Sequence, residues 1–296
     1  MAVLLSSFVT ALVLMLMLSR SAAGAASASH RFEQLSYNDI IDKLQLFSAK
    51  YPGKAEVFTA QERYGVPSPG DCGQPCQQWI LHITNLDTLK SDQARPEVFL
   101  SGCLHGNERI GPTTVVEVAE LLLQASVCYS NNEASECQED KLLAGDPETV
   151  AWLAHLVETR NIYIMPTANA WGYYHDKREE NGVDPNRDFP FNQAPSACMV
   201  TSAARAINEL WREHIFQLSL TFHAGMEAIA YEWGSKNHPH RTEQGGALQD
   251  VSPDDDAQVE IGTALSEYAG SFQGVKPYQV QSQNFHSQDQ HHQPLS

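Results

Sequence analysis

His105 and Glu108 stand three apart in Ser101-Gly-Cys-Leu-His105-Gly-Asn-Glu108-Arg-Ile-Gly-Pro112. At that spacing an imidazole and a carboxylate can turn to one side of a single backbone turn. They would supply two of the three protein ligands of a catalytic zinc site, whose fourth position is kept for water. Taken alone the pair says little, because His-x-x-Glu arises often by chance in solvated turns. Two downstream segments change its weight. Gly182-Val-Asp184-Pro-Asn186-Arg187-Asp-Phe-Pro190 gathers a carboxylate, an amide and a guanidinium, and Leu220-Thr-Phe-His223-Ala-Gly225 ends an apolar run on a second imidazole.

Groups so far apart in the chain need a framework to bring them together. Glu97 to Cys103 reads as a strand feeding the His105 turn, and Thr113 to Gln124 as an amphipathic helix behind it. Upstream, Tyr37 to Tyr51 has apolar residues at 40, 41, 44 and 47, which is helical spacing, and Pro52-Gly53 ends it. Lys54 to Gln61 and Gln78 to Asn85 read as strands around a Pro/Gly/Cys-rich loop. Val127 to Lys141, polar and cysteine-bearing, reads as a surface loop. Pro147 to Glu158 predicts a helix with proline in its first turn, and Asn161 to Met165 a buried strand stopped by Pro166. A helix over Ala203 to His214, a strand over Ile215 to Phe222 ending at His223, and a short strand from Ala228 to Trp233 follow. Ser252-Pro-Asp-Asp-Asp opens a helix to about Phe272, its aspartates complementing the helix N-terminus. This alternation implies an α/β fold with a mixed, mostly parallel central sheet flanked by helices.

Together the three segments resemble the M14 zinc metallocarboxypeptidases, which combine His-x-x-Glu, an Asn-Arg pair in a Gly-Val-Asp-x-Asn-Arg frame, and a histidine closing a strand. The resemblance covers residues 37 to 278, and the His-Gly-Asn-Glu version looks more like the regulatory-type branch than the digestive one. It implies that His105, Glu108 and His223 hold one zinc ion per chain. Asp184 falls at the family position that hydrogen-bonds a ligand histidine and orients its ring. Arg187 offers a fork for a planar carboxylate and Asn186 an amide donor beside it. Free C-termini of peptides or proteins are therefore the implied substrates. Arg178 aligns, across a one-residue gap, with the arginine that polarises the scissile carbonyl and steadies the oxyanion.

The chain also departs from that pattern. Ala224 stands where glycine is expected, and Pro185 and Asp188 are variations around the Asn-Arg pair. The family carries its general-base glutamate on a strand beyond the helix that matches Ser252 to Phe272. None of Glu227, Glu232, Glu243, Glu260 and Glu267 has that context, so the expectation is a C-terminally truncated form of an active enzyme. Two other readings stand beside it: a non-catalytic zinc- and peptide-binding module, and an aspartoacylase-like zinc amidohydrolase. The Asn186-Arg187 frame favours peptides over the latter.

Composition bounds the setting. A chain of 296 residues, 42% hydrophobic, suffices for one large domain, expected over residues 29–280. Val3 to Leu18 is apolar and small residues follow to Ala28, which reads as a secretory signal peptide over residues 1–28. The run is short for a membrane span, so no membrane association is expected after cleavage. Six cysteines fit an oxidising compartment, where Cys72 with Cys76 and Cys128 with Cys137 could close local bridges. The net charge of −17 argues against nucleic-acid partners. Residues 281–296 form a Gln/His-rich tail, read as disordered, whose His286, His291 and His292 are solvated rather than ligating. His82, His155, His175 and His214 are read as structural or solvated. Oligomeric state is not legible in any of these patterns.

Overall fold

Ser36 opens the first helix by a reciprocal cap: its hydroxyl accepts the Asp39 N–H, and the Asp39 carboxylate accepts the Ser36 N–H. In this computed structural model the described residues are 33–92, 94–131, 147–190, 198–226, 228–232, 239–241, 247–249, 252–269 and 279–282. The expected signal segment, Cys137, and the tail beyond residue 282 lie outside them. The described residues divide into two compact units, one up to Met226 and one beyond it.

In the larger unit, helix α1 (Tyr37–Lys50) buries Tyr37, Ile40, Leu44 and Phe47; of the four positions that the spacing picked out, Ile41 is only half-buried. Strand β1 (Ala55–Thr59) is shorter than expected. Its last residue, Thr59, turns its hydroxyl to the Glu62 N–H and caps a short helix, α2 (Ala60–Tyr64), closed by Gly65 in the left-handed region. After β2 (Trp79–Ile83) and one turn of helix, α3 (Leu86–Leu89), comes β3 (Glu97–Gly102). Helix α4 (Ile110–Asn131) extends further than the sequence pattern in both directions, so the first residues of the stretch read as a loop, Val127 to Asn131, are helical. Helix α5 (Pro147–Thr159), strand β4 (Asn161–Met165), helix α6 (Ala170–His175), helix α7 (Ser202–Glu213) and strand β5 (Phe216–Phe222) complete the unit.

The five strands form one mixed sheet in the order β1-β2-β4-β3-β5. The pairings β1–β2 and β2–β4 are antiparallel, whereas β3–β4 and β3–β5 are parallel. Strand side chains alternate between faces. Ile80, Phe99, Tyr163 and Met165 pack with Ala206, Ile207 and Leu210 of α7 on one face. Leu81, Ile83, Val98, Leu100, Ile162 and Ile164 are buried on the opposite parity. Helix α4 packs on β3 and β4, with α1 and α5 packed against α4. Cys72 and Cys76 are joined in a disulfide. Cys128 is also disulfide-bonded, its partner outside the described residues.

In the smaller unit, β6 (Ala228–Tyr231) runs parallel to β9 (Gln279–Ser282), and β7 (Pro239–Arg241) is antiparallel to β8 (Ala247–Gln249). Helix α8 (Asp255–Ala269), with Asp255 and Asp256 in its first turn, packs on β6 and β9. Strand β9 thus takes in the first two residues of the stretch that composition marked as a tail.

Candidate metal centre

The parallel pairing of β3 and β5 brings the centre together. Their register runs to Gly102↔Phe222, so the residues that leave the two strands emerge side by side at the carboxyl end of the sheet, the usual place for ligands in α/β folds. Past β3 the chain turns sharply at Cys103, which takes φ 58°, a conformation side chains rarely adopt. Burial pushes the thiol of Cys103 well above the ordinary range, so it is an inert part of the turn rather than a nucleophile. His105 and Glu108 then occupy one backbone turn, closed by a hydrogen bond from Glu108 N to His105 O at 3.1 Å. His223 follows directly on β5.

The Glu108 carboxylate sits between the two rings. Oε1 lies 2.7 Å from His105 Nδ1 and Oε2 lies 2.7 Å from His223 Nδ1. The Ala224 N–H also donates to Oε2, at 3.1 Å. Ligand atoms of the three residues all fall within 4.8 Å of one another. Burial would raise the Glu108 carboxyl, but hydrogen bonds and charge from His105 and His223 outweigh it and hold the group down at about 2. Two imidazole nitrogens and an ionised carboxylate form a donor set that fits a divalent zinc ion.

The second nitrogen of His105 is also engaged. Asp184 Oδ1 approaches Nε2 at 3.2 Å and Arg178 Nη2 at 2.8 Å. With the proton on Nε2 the ring donates to Asp184 and leaves the Nδ1 lone pair free toward the group. In the other tautomer Nε2 accepts from Arg178. Metal ligation through Nδ1 requires the first form, the one an orienting carboxylate favours. Asp184 is itself fixed: its Oδ1 accepts the Asn186 N–H at 2.9 Å and its Oδ2 accepts from Arg178 Nη2 at 3.1 Å. Although burial works against it, charge from His105 and these bonds keep the Asp184 carboxyl below its ordinary value. Replacing Asp184 with asparagine is expected to weaken zinc binding about 10–100-fold, the usual effect of losing such a partner. Competition with a chelator would measure this, and an unchanged affinity would remove Asp184 from the centre.

All seven residues picked out in the sequence lie in this one unit. His105, Glu108, His223, Asp184 and Arg178 form one connected network, in which His223 meets Glu108 and His105. Arg178 reaches Glu108 Oε1 at 3.5 Å and leaves 45% of its side chain exposed. Asn186 and Arg187 sit on the turn Pro185–Arg187 that follows Asp184, with Arg187 Nη1 donating to Asn186 O at 2.9 Å. Sequence reasoning missed the buried residues that hold these segments. Asn169 caps α6 through Gly172 N and donates its amide to Arg178 O at 3.2 Å. Glu180 and Asp188 are almost wholly buried. Asn181-Gly182 was a readable signal for the tight turn beside Glu180, while nothing local marks Asp188.

Comparison with known proteins agrees with this geometry. The profile of the zinc carboxypeptidase family matches residues 74–293. Carboxypeptidase D of Rattus norvegicus is 24% identical over 256 residues, covering 82% of this chain and 16% of that protein. Carboxypeptidase B of Helicoverpa zea is 23% identical over 231 residues, covering 66% of this chain and 46% of its own length. The chain thus spans less than half of either relative. Among solved structures, carboxypeptidase A from Helicoverpa armigera superposes with a TM-score of 0.57 at 19% identity, over 90% of this chain and 62% of that one. Bovine thrombin-activatable fibrinolysis inhibitor gives 0.55 at 13% identity, over 86% and 78%. The fold is theirs, and the family profile covers most of the sequence: the chain belongs to the M14 zinc carboxypeptidases.

Proposed function

We propose that this chain is a zinc metallocarboxypeptidase that removes C-terminal residues from peptides or proteins, in the secretory pathway or outside the cell. The observation that carries the reading is the convergence of His105, Glu108 and His223 beside Arg178, Asp184 and the Asn186-Arg187 turn. His105 and His223 through Nδ1, and Glu108 through its carboxylate, would hold one zinc ion. When bound, zinc supplies Lewis-acid chemistry, polarising a carbonyl and making hydroxide available near neutral pH.

The chain's own groups do the rest. Asp184 offers His105 Nε2 an acceptor, which favours the tautomer that ligates through Nδ1 when the ion is bound. Arg178, next to the group and partly exposed, can donate to a substrate carbonyl oxygen as charge develops on it. Arg187 spends a donor on the neutral carbonyl of Asn186, and a peptide carboxylate would be a stronger, charged acceptor for the same fork. Arg187→Ala should therefore raise KM for free-acid peptides about 10–100-fold, the value of a hydrogen bond to a charged group. Wild type should discriminate by a similar factor against the same peptides with amidated ends. Equal handling of acid and amide by the wild type would overturn the exopeptidase reading.

One observation favours a second reading, zinc and peptide capture without turnover. Among the described residues the carboxylates hydrogen-bonded within the group are Glu108 and Asp184, and both are committed, the first between two imidazoles and the second to His105, Asn186 and Arg178. A zinc-loaded chain incubated with blocked dipeptides and longer peptides decides between them. Chelator-sensitive release of the C-terminal residue supports hydrolysis, whereas carboxylate-dependent binding with no release supports capture.

A further inference from the structure

The segment from Arg178 to Asp188 carries Arg178, Asn186 and Arg187, the groups read above as meeting the substrate, and it lacks regular structure over most of its length. Its order comes from two buried carboxylates that converge on one helix end. Helix α7 begins at Ser202, and a helix start leaves its first N–H groups without partners inside the helix. Here each is taken. Glu180 accepts from Ser202 N at 2.6 Å and Ala203 N at 3.1 Å. The N-cap hydroxyl of Thr201 accepts from Ala204 N at 3.1 Å. Asp188 closes the approach to the helix, accepting from Val200 N at 3.0 Å, and from Thr201 N and the Thr201 hydroxyl at 2.7 Å each. Glu180 is 4% exposed and Asp188 2%. The helix dipole and this row of N–H groups suit negative charge, which lets two carboxylates share a buried corner.

Between the anchors the chain has little freedom. Glu180 and Val183 exchange backbone hydrogen bonds at 2.9 and 3.0 Å around Asn181 and Gly182, both at positive φ, a two-residue hairpin turn. Asn181 donates to Pro69 O at 2.6 Å. Asp184 caps the Pro185–Arg187 turn, which ends on Asp188. Arg178 lies two residues before one anchor and Arg187 one residue before the other.

We propose that Glu180 and Asp188 are positioning residues: the N-terminus of α7 is a double clamp that sets Arg178 and Arg187 at the distance a peptide C-terminus requires. This rests on the carboxypeptidase reading for what is being positioned. Neither carboxylate touches the metal trio, so loosening either one should spare the ion and misplace the arginines. Ångström-scale misplacement of a substrate-positioning group costs about 10²-fold in turnover.

The test uses the zinc-loaded full chain with Glu180→Ala, Asp188→Ala and the milder Glu180→Gln, which keeps one acceptor oxygen and guards against a variant that does not fold. Zinc content, amide hydrogen exchange across residues 178–188, and kcat/KM or Kd for a free-acid peptide are measured for each variant against its parent. The expected result is retained zinc, faster exchange confined to this segment and the start of α7, and a loss of about 10²-fold in peptide kcat/KM or affinity, with Glu180→Gln intermediate. Unchanged exchange overturns the clamp whatever the parent does. Faster exchange with unchanged peptide kinetics or binding overturns its positioning role. A parent that neither binds nor cleaves free-acid peptides defeats the carboxypeptidase reading, and the positioning role falls with it.

Discussion

Glu108→Gln is expected to weaken zinc binding by more than about 10²-fold, and to abolish zinc-dependent release of C-terminal residues. Residues that merely orient a ligand already contribute 10–100-fold, so the loss of a ligand should exceed that range. The geometry explains why this one position matters most. A single carboxylate faces both Nδ1 atoms at 2.7 Å, and it is the only charged member of the trio when the histidines are neutral. An amide removes the charge and turns a donor toward one ring. Metal content after dialysis, and competition with a chelator, measure the effect; stoichiometric zinc at undiminished affinity would sink the ligand assignment. A second readout is independent of metal. The Glu108 carboxyl is depressed from 4.5 to about 2, so it stabilises the fold above pH 4.5. This contribution is lost as pH falls from 4.5 toward 2, and the glutamine variant should lack that part of the acid dependence.

Gly106→Ala is the second large effect, and it acts on folding. Gly106 lies between His105 and the segment it must face, and its N–H donates to Arg178 O at 3.1 Å. A Cβ added there would overlap the backbone of Gly172 and the carbonyl of Lys177. Backbone cannot rotate away as a side chain can. The cost should exceed the 1–3 kcal/mol usual for overpacking, that is, more than about 3 kcal/mol, or roughly 6–12 °C in Tm for a unit of this size. Gly182→Ala is the control: its Cβ would meet open space, and only the positive φ of 86° opposes it, at about 1–2 kcal/mol. Equal melting temperatures for the two variants would contradict the close approach.

The sequence showed most of the framework, because the signals for β3, α5, β4, α7 and β5 are local. Apolar runs bounded by Pro166 or by a capping residue can be read without knowing what they pack against. The convergence of His105, Glu108 and His223 was also legible, through spacing and the order of three segments. What escaped was decided over longer distances. Strand β1 ends early because the Thr59 hydroxyl finds Glu62, and α4 outruns its amphipathic stretch because residues past its end, Ala125, Ser126 and Cys128, are still buried. Glu180 stands among charged neighbours in Asp-Lys-Arg-Glu-Glu and looks like a solvated surface residue. Its burial depends on a helix that begins 22 residues later, which no local pattern announces.

The parallel pairing of β3 and β5 has a consequence for the order in which the molecule matures. His223 joins Glu108 across 115 residues of chain, and does so only once β5 has docked beside β3. A ribosome must therefore deliver His105 and Glu108, the four helices α4 to α7 and strands β4 and β5 before His223 exists. Small zinc modules use the ion to nucleate folding, because their ligands lie within a few turns of one another. This centre cannot be a nucleus, since closing so long a loop before any packing has formed costs entropy that one ion offsets late rather than early. On the proposed zinc reading, metal capture is a finishing step, and stripping the ion with a chelator should leave the fold in place rather than unfold it.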